Sequence, residues 1–166
     1  IKPYNNNAAD VAGHINLPLL ADRFAFLRKA YQKVIGDIRA EPGFARLPIF
    51  VHAYDHAFPY KWDANDSRSP EWASADEWLG KPFSDRNIKD TTLRRNVIKF
   101  MVDGLYDLLK QLAGDSKASC VWVIDCRGSM PAVTDWADEI HGTSNGFAKV
   151  AARFRAVIKE GLENSA

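Results

Sequence analysis

The sequence is poor in cysteine, in surplus charge and in long apolar runs, and each shortage excludes a class of protein. Its 166 residues include only two cysteines. Cys120 lies in a predicted strand and Cys126 directly follows it, which places them roughly 20 Å apart. A disulfide needs Cα atoms within about 7 Å, so we expect no disulfide between them. The 22 basic and 21 acidic side chains nearly cancel, so the basic surplus of a nucleic-acid binder is missing. No apolar run approaches the roughly 20 residues that cross a membrane, so we expect no membrane insertion.

What the sequence does contain is a succession of helical and β patterns, with 46% hydrophobic residues. Apolar residues recur every three or four positions over 21–39, over 87–112 and in the last part of the chain. This spacing predicts three helices that each bury one face. We expect Thr143 or Ser144 to cap the last helix and Gly161 to end it.

Two short apolar runs, 47–54 and 119–125, predict strands. The second run is unbroken in its centre, which is typical of a strand buried on both faces. Helices that alternate with such strands predict a parallel sheet covered by helices, in a single α/β domain over residues 1–166. Sheets commonly have about four to six strands. We therefore expect the other strands to lie in an N-terminal segment ahead of Ile1.

Residues 56–85 form a long segment rich in Pro, Ser, Asn and Asp between the first predicted strand and the second predicted helix. The usual connection has about four to six residues, and much longer loops are commonly lids or disordered. Trp62, Trp72 and Trp78 argue against disorder. We predict a lid-like insertion, and a small satellite core built on these tryptophans is the competing interpretation.

Polar side chains follow both predicted strands, and in parallel α/β sheets ligands bind beyond the carboxyl ends of the strands. His52, Asp55 and His56 carry imidazole and carboxylate groups, which are suitable zinc ligands. For His52, a core position with a bond to a backbone carbonyl is the alternative. Asp125 and Arg127 allow two interpretations. They could bind a carboxylate or phosphate group of a substrate, or they could form a structural ion pair.

The sharpest feature is the pair Asp138 and His141, three residues apart just before the last helix. A turn can bring such a carboxylate against the imidazole, where it holds the proton on Nδ1 and leaves Nε2 to accept a proton from a serine hydroxyl. The same residue types also occur at helix entrances, where they only satisfy exposed backbone groups. Taken alone, the pattern leaves both interpretations open.

The surrounding residues resemble a known family. Asp-Trp-Ala-Asp-Glu-Ile-His-Gly-Thr over 135–143, followed by Gly-Phe-Ala-Lys-Val-Ala over 146–151, resembles the C-terminal block of the SGNH hydrolases, the superfamily of GDSL-like esterases and lipases. Residues 49–55 and 124–128 resemble two strand ends of that family. The resemblance covers about 21–158, and only its Asp-x-x-His block is diagnostic.

The resemblance implies a flavodoxin-like fold, a three-layer α/β/α sandwich with a parallel sheet, and a serine ester hydrolase that needs no cofactor. Asp138 would be the orienting acid and His141 the general base. The substrate would be a small-molecule, acyl or glycan ester. Tyr54 and Asp55 at the first strand end, and Trp62 in the lid-like insertion, are the candidate substrate-binding residues.

Two departures from the family pattern stand out. Gly142 replaces the proline that usually follows the histidine, which relaxes the turn. The Gly-Asp-Ser block and the Gly-x-Asn-Asp block are missing, so the nucleophile and the oxyanion donors have no position in this sequence. Asn5, Asn6 and Asn7 follow Pro3 and Tyr4 instead of a strand, so no oxyanion role is assigned to them. We expect the serine in the N-terminal segment ahead of Ile1, which would then be a partner of this part of the protein.

A second hypothesis comes from a different class of function. A noncatalytic binding or interaction module on the same scaffold would use the tryptophan-rich segment 56–85 as its contact surface. Residues upstream of Ile1 distinguish the two, because a Gly-Asp-Ser block after a strand favours the hydrolase and a native start at Ile1 favours the module. The compartment and the chemical identity of the ester stay open.

Overall fold

The computed structural model describes residues 1–165, and 53% of the chain is helical. Six α-helices and two strands are present in the described part, together with two short 3₁₀ helices, Ala12–His14 and Val133–Asp135. In chain order the main elements are α1 (Leu17–Ala40), β1 (Ile49–His52), α2 (Pro70–Ala73), α3 (Gly80–Ser84), α4 (Thr91–Ala113), α5 (Ser116–Ser119), β2 (Val121–Ile124) and α6 (Ser144–Ser165).

The two strands pair in parallel, with Ile49 opposite Val121 and His52 opposite Ile124. The prediction of two parallel neighbours is therefore confirmed. Because side chains alternate between the faces of a strand, the sheet is apolar on both sides. One face, which carries Val51 and Val121, packs on α4 and α1. The contacts there come from Tyr106, Leu109 and the half-buried Phe24 and Leu27. The other face, which carries Phe50 and Trp122, packs on α6.

The expected three-layer α/β/α sandwich is wrong. The chain is mostly helical, and its only sheet within residues 1–165 has two strands. Residues 1–11 form turns that are tied to the segment after α3, through bonds from Tyr4 N–H to Arg86 O (3.0 Å) and from Arg86 Nε to Ile1 O (2.6 Å). The insertion 56–85 forms short helices and turns as well. Hydrophobic periodicity indicated the local elements, and the number of strands in a sheet is not a local property.

Two helices begin at other residues than predicted, because capping side chains set their first turns. α1 begins at Leu17 because the Asn16 side chain accepts the Leu19 N–H, and Pro18 occupies its first turn. α4 begins at Thr91 because Asp90 accepts the Leu93 N–H at 2.7 Å. The predicted cap of α6 at Thr143 is confirmed, since its hydroxyl accepts the Gly146 N–H at 3.1 Å.

Gly161 does not end α6, which continues to Ser165. A Cβ atom on Gly161 would lie 2.6 Å from the Phe50 ring and 3.2 Å from the Trp122 ring. The glycine therefore allows α6 to approach the sheet closely. A glycine near a helix end is typical of a stop signal, which is why the sequence predicts an end at this position.

The buried Tyr106 on α4 ties the carboxyl ends of the two strands together. Its hydroxyl accepts the Cys126 N–H at 2.7 Å and the Ala53 N–H at 3.3 Å, and lies 3.0 and 3.1 Å from the carbonyls of Ala53 and Ile124. Burial raises the pKa of Tyr106 above its usual value, so the hydroxyl keeps its proton as a donor. Both loops that carry candidate site residues start from this point.

Replacing Gly161 with alanine is expected to destabilise the fold, because the new methyl group would displace the Phe50 ring. We expect a loss of about 1–3 kcal/mol in the free energy of unfolding, as for overpacked cores. Gly36→Ala in α1 is the matched control: nothing lies within 4 Å of its Cβ position, so alanine should stabilise the protein by about 0.5–1 kcal/mol. Urea denaturation measures both, and equal effects of the two substitutions would contradict the close packing of α6.

Candidate functional site

The Asp-x-x-His block forms a closed loop over residues 136–142. Two backbone hydrogen bonds close it, one from Ala137 N–H to His141 O and one from Thr143 N–H to Asp135 O, both 2.8 Å long. Trp136, at the base of the loop, is 1% exposed and donates its indole N–H to Met130 O at 3.0 Å. The loop therefore rests on a buried aromatic side chain, which attaches it to the segment after β2.

Inside this loop, Asp138 and His141 are in direct contact. One carboxylate oxygen of Asp138 accepts the N–H groups of Ile140 (2.8 Å) and His141 (2.7 Å), and the other lies 2.7 Å from His141 Nδ1. The predicted hydrogen bond between the two side chains is thus present. An ionised carboxylate only accepts hydrogen bonds, so neutral His141 carries its proton on Nδ1 and leaves the Nε2 lone pair available.

Burial and hydrogen bonding act in opposite directions on Asp138. Burial by itself raises the pKa of a carboxyl group, and the Asp138 side chain is 15% exposed. The bonds from the His141 ring and from the two backbone N–H groups outweigh burial and lower the pKa of Asp138 below its ordinary value. The His141 side chain is 58% exposed, so a second reactant can reach its ring.

Glu139 connects the block to the insertion 56–85. Its carboxylate is 1% exposed and accepts the N–H groups of Glu77 (3.2 Å), Leu79 (2.6 Å) and Gly80 (2.9 Å) at the start of α3. A Cβ atom on Gly80 would collide with Glu139, so glycine allows this approach. Sequence reasoning did not single out Glu139, and no spacing pattern distinguishes it from an exposed acid.

Asp55 connects the two loops that follow β1 and β2 in the same way, through a buried carboxylate that accepts backbone N–H groups. It is 2% exposed, and its carboxylate accepts the N–H groups of His56 (2.7 Å), Gly128 (2.6 Å) and Met130 (2.5 Å). Asp55 thus lies at the predicted candidate site, with its oxygen atoms bonded to the backbone. Its neighbour Tyr54 is 64% exposed beside the same loops.

A groove of about 310 Å³ runs from the strand ends along α6 and has His141 in its wall. We call it the His141 groove; it is lined by His52, Ala53, Tyr54, Asp55, Cys126, Met130, Ile140, His141, Phe147, Val150 and Phe154. Tyr54, Asp55 and Ile140 also border a second groove of about 210 Å³. The remaining wall of this second groove consists of Ala57, Leu79, Ile98, Met101 and Val102. The strand ends and His141 therefore lie at one edge of the sheet.

The insertion 56–85 is held down by buried polar contacts. The Arg68 side chain is 0% exposed, bonds Asp66 at 2.7 Å and donates to the carbonyls of Phe58 (3.0 Å) and Tyr60 (2.6 Å). The tryptophan satellite core is wrong, since Trp72 and Trp78 are 59% and 60% exposed.

Trp62 is partly exposed, and its backbone N–H bonds the carbonyl of Ala73 within the insertion. Glu139 and an edge contact between Phe58 and Trp136 (6.3 Å between ring centroids) link the insertion to the block. These contacts do not involve Trp62, Trp72 or Trp78, so the lid stays a prediction.

The zinc alternative finds no support. His52 is exposed and in edge contact with Phe154 (4.9 Å between ring centroids), so its expected core position is wrong. The expected contact with a backbone carbonyl is present, since Nδ1 lies 3.4 Å from Ala53 O. His56 Nε2 instead lies 3.0 Å from Asp103. In the part of the chain that the structure describes, no three His, Cys, Asp or Glu side chains are grouped to hold a metal ion.

Asp125 and Arg127 form an ion pair of 2.6 Å, and Arg127 also reaches Asp103 at 3.0 Å. The hydrogen bond from Arg127 lowers the pKa of Asp125 despite partial burial. This geometry favours the structural interpretation of the pair.

Among residues 1–165, no helix is long and apolar enough to cross a membrane. No protein-family model matches this chain, and neither does any curated protein or any solved structure. The geometry of the site is therefore the basis for inferring a function.

The bond to Asp138 should set the tautomer of His141. In the wild-type protein at a pH where the ring is neutral, ¹⁵N NMR should show the proton on Nδ1. Asp138→Asn weakens this preference, because an amide presents both a donor and an acceptor to the ring. Asp37→Asn, which alters an exposed ion pair on α1, is the matched control and should leave the tautomer unchanged. A wild-type ring protonated on Nε2 would contradict the proposed orientation.

The lowered pKa of Asp138 also predicts a pH-dependent contribution to stability. Because the folded pKa lies below the unfolded value of about 3.9, the ionised carboxylate stabilises the fold above that pH. The contribution is lost as the pH falls through the folded pKa. The difference in unfolding free energy between wild type and Asp138→Asn should therefore shrink below about pH 4. For Asp37→Asn the difference should stay small throughout, and a constant difference for Asp138→Asn would refute this linkage.

Proposed function

We propose that the protein containing this chain is a serine ester hydrolase in which His141 is the general base and Asp138 orients it. The observation that carries the proposal is the 2.7 Å contact between Asp138 and His141 Nδ1, with the exposed ring in the wall of an apolar groove. The nucleophilic serine and the oxyanion donors are assigned to a segment outside this chain. The resemblance of residues 135–143 to the SGNH hydrolases supports the same assignment.

The chemistry follows from the free Nε2 atom. The serine hydroxyl attacks the acyl carbon while its proton moves to Nε2, and the alcohol leaves with that proton as the acyl-enzyme forms. Water then attacks the acyl-enzyme and gives a proton to Nε2, which returns it to the serine as the acid departs. Asp138 stabilises the imidazolium formed in both steps, because its carboxylate already faces Nδ1.

On the substrate side, Tyr54 is the best placed of the predicted binding residues, since it is exposed at the rim of the His141 groove. Asp55 supports this wall through its backbone bonds. Trp62 stays a candidate only if the insertion moves toward the groove. The proposed reaction uses no cofactor.

One observation favours the second candidate function, a noncatalytic interaction module. Trp72 and Trp78 expose more than half of their side-chain surface on the insertion, and exposed tryptophans are enriched at protein interfaces. In that case the insertion binds a partner and the groove has no chemical role.

Substituting the proposed base distinguishes the two functions. In the full-length protein, His141→Ala should lower kcat for p-nitrophenyl esters by about a hundred-fold to ten-thousand-fold, and Asp138→Asn should also lower it. His141→Ala should leave the melting temperature nearly unchanged, because the side chain is largely exposed. Asp37→Asn is the control for altered surface charge and should keep full activity. Unchanged turnover in His141→Ala would exclude His141 as the base, whereas a wild-type protein that hydrolyses no ester would favour the module.

A further inference from the structure

We propose that the His141 groove binds the acid part of an uncharged ester, as an unbranched chain of about six to ten carbon atoms. This inference rests on the proposed function, because it names the substrate class of the same site. Acetyl esters and esters of charged acids would then be poor substrates.

The groove wall is poorly suited to a charged ligand. No lysine or arginine side chain lines it, and its ionisable side chains are His52, Tyr54, Asp55, Cys126 and His141. Asp55 is bonded to three backbone N–H groups. Burial raises the pKa of Cys126, which favours the neutral thiol. A buried ligand carboxylate would therefore find no lysine or arginine to pair with, and a buried charge without a partner is strongly unfavourable. The remaining wall offers mainly apolar contacts from Met130, Phe147 and Phe154.

The size of the groove limits the length of the acyl chain that it can hold. A closed cavity of about 150 Å³ holds one benzene molecule with its six carbon atoms. The groove has about 310 Å³, which corresponds to about twelve carbon atoms if it were filled completely. Because it is open to solvent along one side, we expect a shorter optimum.

The position of the groove places the acyl chain of the ester beside the proposed general base. His141 forms part of its wall, so a chain lying in the groove brings its carbonyl end next to the imidazole ring. Phe147, one turn into α6, is 52% exposed and lies over Gly142, whose Cβ position would be 3.5 Å from its ring. Phe147 is therefore a contact for the chain and has little part in the core.

The first test is a series of p-nitrophenyl esters from acetyl to tetradecanoyl with the full-length protein. Full burial of one methylene group is worth about a four-fold gain in kcat/KM, and a half-open groove should give about two-fold. Six further methylene groups then make the octanoyl ester about sixty-fold better than the acetyl ester. Activity should decline beyond about ten carbons, where the chain outgrows the groove.

Phe147→Asp tests whether this groove causes the preference. A carboxylate there should reduce the preference for octanoyl over acetyl to below about five-fold, and the exposed position of Phe147 means that the fold should survive. Ala148→Asp is the matched control. It adds the same charge at the next residue, which is exposed and does not line the groove, so the chain-length profile should stay as in the wild type.

A binding measurement separates this inference from the proposed hydrolase. Titration with 1-octanol should shift the NMR amide signals of Ile140 and Phe147 in the wild type and in Ala148→Asp, but not in Phe147→Asp. Equal rates for acetyl and octanoyl esters would overturn the inference and leave the hydrolase standing. If no ester is hydrolysed but octanol binds as expected, the hydrolase fails and the apolar ligand class is supported. If octanol shifts neither signal in the full-length wild-type protein, the groove is not available to an alkyl chain, which overturns the inference.

Discussion

Buried carboxylates that accept backbone N–H groups are the interaction on which the site of this protein depends. Asp55 and Glu139 are 2% and 1% exposed, and each accepts three N–H groups. A hydrogen bond to a charged group contributes about 1.5–3 kcal/mol, and a buried carboxylate without such bonds is strongly unfavourable. The two strand-end loops, the insertion and the Asp-x-x-His block are thereby joined into one unit.

Asp138 also accepts backbone N–H groups, but from residues of its own loop. Two backbone N–H groups hold one of its oxygens, which leaves the other directed at His141 Nδ1. The loop around the pair is closed by its own backbone bonds and attached through Trp136 to the segment after β2. The orientation of the imidazole is therefore set before any ligand arrives, which general-base catalysis requires.

The two-stranded sheet would be only marginally stable by itself. Here α4 and α1 cover one face and α6 covers the other, while Tyr106 joins the strand ends. This arrangement brings the loops after β1 and β2 to one edge, beside the first turn of α6. The site depends only on this local arrangement. It is therefore present although the fold is mainly helical and not the expected sandwich.

The sequence alone predicts the long helices, the two parallel strands and the contact between Asp138 and His141, because apolar periodicity, the helical crossover between the strands and i, i+3 spacing are local patterns. Tertiary packing sets the number of strands, the exposed position of His52 and the structural roles of Glu139, Asp55 and Gly161. Glu139 meets the Gly80 backbone, and Gly161 meets Phe50, across long stretches of chain. No pattern of neighbouring residues encodes such a contact, since it depends on how separate elements pack.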